Sequence, residues 1–128
     1  MGLDNGITIK KKDLPKQFNR LSIEGLDHGS EIEVAYWRKC WQVRRLIYEA
    51  INMPDESESV VRLSREDILA IIKALTKNIK RKWYEYDTPY WEWSEYKANH
   101  RDNIRRLRRL ARLMRKCADV IVEFYDSY

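Results

Sequence analysis

The sequence holds little of what catalytic centres are usually made from. It has two histidines, two cysteines, four glycines and three prolines in 128 residues. There is no Gly-x-Gly-x-x-Gly turn, no phosphate-binding loop and no His-Glu-x-x-His zinc motif, and His28 and His100 stand far apart. Cys40 and Cys117 form neither a Cys-x-x-Cys pair nor a Cys/His metal spacing; two reduced thiols is the first reading and a disulfide staple the second. Asp27-His28-Gly29-Ser30 carries the three residue types of a hydrolytic triad, but sequence neighbours seldom meet in triad geometry. These gaps predict a protein that is not an enzyme and that carries no metal and no cofactor.

Long apolar runs are missing too. None approaches the ~18 residues that span a bilayer, and Met1 to Lys12 has neither an apolar signal core nor a small-residue cleavage site, so a cytoplasmic protein without membrane contact is expected. What is there is 44% hydrophobic and 35% charged residues, too apolar for disorder and rich enough in charge for long solvated helix faces. The length suits one compact domain over residues 1–128.

The pattern along the chain predicts an α+β, mainly α fold. Three helices, over about 31–53, 65–86 and 95/100–127, pack on a small two-stranded antiparallel ribbon of about 6–12 and 60–63, with loops at 13–29 and 53–59. Ser30 and Glu33 have the spacing of a capping box, which opens the first helix, and Pro54 closes it. Ser64 caps the second, with Asp67 in its first turn. The last is clearest from His100 onward; Ser94, Asn99, Asp102 and Asn103 are better caps than helix interiors, so a break is expected between about 94 and 101. The expected core is Val43, Ile47, Ile68, Ile72, Leu75, Ile79, Leu107, Met114 and Ile121.

Two features point to binding. From Arg101 to Lys116 there are eight basic residues against Asp102 alone, a segment charge of +7, while the whole chain carries +5. Arg101, Arg105, Arg108, Arg112 and Arg115 recur at helical spacing and form a row, flanked by Arg109 and Lys116. Like charges so placed repel. They need either internal carboxylates, with Glu49, the 55–58 loop and Glu66 as candidates, or an anionic partner, and arginine favours bidentate contact to carboxylate or phosphate. The second feature is the run Trp83, Tyr84, Tyr86, Tyr90, Trp91, Trp93 and Tyr96, more aromatics than one helix face buries. Tyr90, Trp91 and Trp93 are candidates for an exposed platform. Glu85, Asp87, Glu92 and Glu95 interleave with the run and would repel a nucleic-acid backbone, which favours a protein partner.

The opening Met1-Gly2-Leu3-Asp4-Asn5-Gly6 and the block Glu33-Val34-Ala35-Tyr36-Trp37-Arg38-Lys39 resemble a family of small phage and prophage proteins of unassigned activity, as does the order that follows. The stretch Tyr90-Trp91-Glu92-Trp93 departs from that family's Gly-aromatic-Gly segment, and the last helix here is more basic. The resemblance implies a mobile-element origin in a bacterial host cell. By analogy it also implies an inhibitor of a host defence or nucleic-acid-handling protein, of the anti-CRISPR, counter-defence kind. Direct nucleic-acid binding through the arginine-rich helix and capture of a small anionic nucleotide as a sponge are the alternatives. A homo-oligomer through the last helix is a further option.

Overall fold

The computed structural model describes residues 4–10, 18, 21, 23, 27–28, 31–38, 41–53, 60–78, 93–117 and 119–127. Among these the order of elements is β1 (Asp4–Lys10), β2 (Asp27–His28), β3 (Glu31–Arg38), α1 (Trp41–Ala50), β4 (Val60–Arg62), α2 (Arg65–Asn78), α3 (Trp93–Lys116) and β5 (Val122–Ser127). The strands form one antiparallel sheet in the order β2-β3-β1-β5-β4. This corrects the two-stranded ribbon of 6–12 and 60–63. Strands exist at both places, but β5 lies between them.

The first third of the expected 31–53 helix is the strand β3, and the helix α1 starts ten residues later than its expected start at 31. The reason is a bulge. Ile7 faces Ala35 and Thr8 faces Glu33, so Val34 is an extra residue on β3. The core-facing residues become Ile32, Ala35 and Trp37, and the step of three looks helical when read along the chain. Glu33 is no cap: its side chain is fully buried in the sheet and accepts the Tyr125 hydroxyl at 2.7 Å. Ser30 lies outside the described residues. Opposite this stretch, a Cβ on Gly6 would come within 2.8 Å of the Ala35 carbonyl, so β1 and β3 approach closely because this residue is glycine.

The last helix is corrected as well. It ends at Lys116, and Val122, Phe124 and Asp126 alternate as buried residues along β5. Ile121, placed in the core from a helical period, is 38% exposed. The expected break near 94–101 is absent, because α3 runs unbroken from Trp93. Its asparagines have other partners. Asn103 donates to the Tyr36 carbonyl at 3.0 Å and accepts from the Tyr36 amide at 3.4 Å, Asn99 donates to the same carbonyl at 3.1 Å, and Arg106 Nε donates to the Val34 carbonyl at 2.7 Å. Among the described residues β2 pairs with β3 at Glu31 and Ile32 and the Ile23 amide donates to the Glu33 carbonyl at 3.0 Å, while α3 covers the edge at Val34 and Tyr36.

The helices lie on the sheet face that carries Ile7, Ile9, Ile32, Ala35, Trp37, Val122 and Phe124. Tyr48 of α1 packs edge-on against Phe124 with ring centres 5.5 Å apart, and Trp37 donates to His100 of α3. Val43, Ile47, Ile68, Ile72, Leu75 and Leu107 are buried as expected, with Ile71, Ile104 and Leu110 added; Met114 packs partly buried, and Ile79 lies outside the described residues. In the same layer Arg44 is paired with Asp126, which also accepts the Tyr48 hydroxyl at 2.9 Å. On the opposite face Lys10 bridges Glu31 and Glu123, which ties β3, β1 and β5 in register; these two carboxylates, Glu31 first, raise the lysine's pKa. The cap of α2 is as expected: Ser64 Oγ accepts the Asp67 amide at 3.1 Å and Asp67 accepts the Ser64 amide at 2.9 Å. Phe18 and Leu21, within the expected 13–29 loop, are fully buried, and β2 occupies part of it.

Candidate functional site

α3 is built from strong helix formers, arginine, leucine and alanine, over its C-terminal half. Its inward side supplies His100, Asn103, Ile104, Leu107, Leu110 and Ala111, all buried. Helical geometry then fixes where the row of arginines goes. Arg101, Arg105, Arg108, Arg112 and Arg115 fall within an arc of roughly 80° and run about 21 Å along the axis. All five are exposed, as are Arg109 and Lys116.

Few of these cations have internal partners. Arg105 meets Asp102 one turn away at 3.3 Å, with side chains 76% and 51% exposed, a pair worth little in water. Arg108 reaches the Thr76 hydroxyl of α2 at 3.4 Å, the limit of a hydrogen bond. Among the described residues, Arg101, Arg109, Arg112, Arg115 and Lys116 make no hydrogen bond or ion pair. Glu49 and Glu66 are exposed and pair with none of the row, while the 55–58 loop lies outside the described residues.

Arg106, between the row and the sheet, behaves differently. It is half-buried, bound to the Val34 carbonyl and to Asn103, and burial lowers its pKa; Asp102 acts in the opposite direction and Arg105 in the same one. It is a structural arginine. Sequence reading missed the contribution of α2. Lys73, Thr76 and Lys77 are exposed on it, and Thr76 joins Arg101, Ile104, Arg105 and Arg108 around a cleft of about 250 Å³. Nothing in linear spacing links residue 76 to residues 101–108; only the packing of α2 on α3 does. A second cleft, lined by Arg62, Leu63, Ser64, Arg65, Asp67, Met114 and Val120, is already bridged by Arg65 donating to the Ala111 carbonyl at 2.9 Å.

Tyr90 and Trp91 lie outside the described residues, and Trp93 is described only as the first residue of α3. His100 is buried, and its Nδ1 accepts the Trp37 indole N–H at 2.9 Å, which places the ring proton on Nε2. Burial lowers its pKa to about 4. Asp27 and His28 form β2, paired with Ile32 and Glu31, and Gly29 and Ser30 lie outside the described residues. Among the described residues no three His, Cys, Asp or Glu side chains come together as a metal site, Cys117 is a half-buried free thiol, and no helix is long and apolar enough to cross a membrane.

Fold and site together define an α+β protein with a five-stranded sheet covered by helices and a basic outer helix. No protein family, no curated protein and no solved structure matches the chain.

Proposed function

We propose that this is a non-catalytic binding protein that docks an anionic macromolecule of the host through the exposed arginine face of α3, and that it inhibits by occupying that surface. One observation supports the reading above all others. Seven cations stand together on one side of a helix, and among the described residues the carboxylates within reach neutralise at most one of them weakly. Such a cluster costs helix stability in the free protein through repulsion at three- and four-residue spacings, a cost that an anionic partner removes. The resemblance to small phage proteins supplies the inhibitor part of the proposal. Immobilised protein incubated with bacterial lysate should retain a partner at about 50 mM salt and release it at several hundred millimolar, since exposed charge pairs are screened over about 10 Å or less at such salt. Retention that is insensitive to salt, or no retention, contradicts the reading.

A further inference from the structure

The α2–α3 cleft is the place where the basic face becomes concave. Among the described residues its lining is Thr76, Arg101, Ile104, Arg105 and Arg108, with no carboxylate. Ile104 is 4% exposed and forms an apolar floor, while the rim presents three guanidiniums and a hydroxyl. Guanidinium groups only donate, so what enters must be rich in acceptors and negatively charged. The forked donors suit a group with several oxygens on one centre. Neither internal contact uses up the rim, because the Arg105 pair is solvent-exposed and the Arg108–Thr76 contact is long. At about 250 Å³ the cleft is smaller than sites that enclose drug-sized ligands.

We propose that this cleft seats a backbone phosphate of a nucleic acid, and that Arg112 and Arg115, with Arg109 and Lys116 beside them, contact the phosphates that follow. The inference rests on the docking reading above and names its partner. Length is compatible with it: a row of about 21 Å is long enough to follow several successive phosphates of one strand. Composition supports it against an acidic protein. Protein interfaces are built around apolar or aromatic anchors with charge depleted at the centre, and interfaces with nucleic acid are polar and basic. Among the described residues the large exposed apolar side chains are Met53, Val60, Leu69 and Ile121, none of them on α3.

The test is fluorescence anisotropy with a mixed-sequence DNA duplex of about 20 base pairs and with single-stranded RNA of the same length, whose shared chemistry is the phosphate backbone. If five arginines meet phosphates, duplex affinity should fall about 500-fold between 50 and 200 mM salt, and Arg101→Gln with Arg108→Gln should reduce that fall to about 40-fold while weakening binding. Thr76→Val, which keeps the shape of the rim, should weaken binding without changing the salt slope. An unchanged slope in the arginine double variant overturns the cleft assignment. Poly-glutamate that binds as tightly as the duplex at equal salt overturns the nucleic-acid partner and leaves the docking reading standing. Failure of all three probes at low salt, with lysate capture intact, also overturns the inference alone; loss of capture as well removes both.

Discussion

Replacing Asp126 by asparagine should destabilise the protein severely, for a reason visible only in the folded sheet. The Asp126 side chain is fully buried on β5, and Arg44, whose side chain is 4% exposed, donates to it from α1. The Tyr48 hydroxyl donates to the same oxygen at 2.9 Å, and the Arg44 guanidinium lies 5.0 Å from the centre of the Tyr48 ring. Asparagine keeps the size but removes the charge, so Arg44 stays buried without the carboxylate it pairs with. Breaking a buried pair in this way costs about 3–5 kcal/mol. For a chain of this length that corresponds to a fall in Tm of roughly 10–20 °C. Urea unfolding followed by circular dichroism measures the first quantity and a thermal scan the second. Arg44→Met with Asp126→Leu should recover most of the loss, because an apolar pair of similar volume replaces a buried ion pair at little cost. A change below about 0.5 kcal/mol for Asp126→Asn, the size of an ordinary surface substitution, would refute the burial of Asp126 and with it the place of β5 in the sheet.

Two more outcomes follow from the core. Leu107→Ala removes a fully buried side chain where α3 meets the other elements and should cost about 2–5 kcal/mol in chemical unfolding; a near-neutral result would overturn the register of α3. His100 is held neutral, with its pKa lowered by burial from 6.5 to about 4, so the unfolded chain takes up a proton at acid pH before the folded one does. Its contribution is complete above about pH 6.5 and is lost as pH falls towards 4, by about 3 kcal/mol at most. His100→Gln, which retains an acceptor for Trp37, should flatten stability against pH in that window; an identical pH profile would contradict the buried neutral histidine.

How much of this was legible in sequence depends on how local the deciding interaction is. The start of α2 was legible because Ser64 and Asp67 satisfy each other's amides within one turn. The arginine row was legible because helical spacing alone gathers Arg101 to Arg115. β3 was not, since the bulge at Val34 depends on Ile7 and Thr8, more than twenty residues earlier. β5 was not, since Ile121 and Tyr125 fit a helical step of four as well as alternation, and what decides is pairing with β1 and β4. Asn99 and Asn103 suggested a break because asparagine disfavours helix interiors; their hydrogen bonds to Tyr36 supply the offsetting gain. Thr76 was invisible for the same reason, as its role exists only across the α2–α3 contact.

The central claim is that the arginine face of α3 is free in the unbound protein and engaged in the bound one, and one double variant tests it. Arg108 and Arg112 are exposed, and among the described residues the pair's hydrogen-bonding inside the protein amounts to the long contact from Arg108 to Thr76. Changing both to glutamate should leave unfolding free energy within about 0.5 kcal/mol of the unaltered protein, and even raise it through reduced repulsion, while partner binding is lost. The measurement is thermal stability and partner affinity on the same purified sample. A lowered Tm with binding retained would contradict the claim, because it would mean that these arginines serve the fold and not a partner.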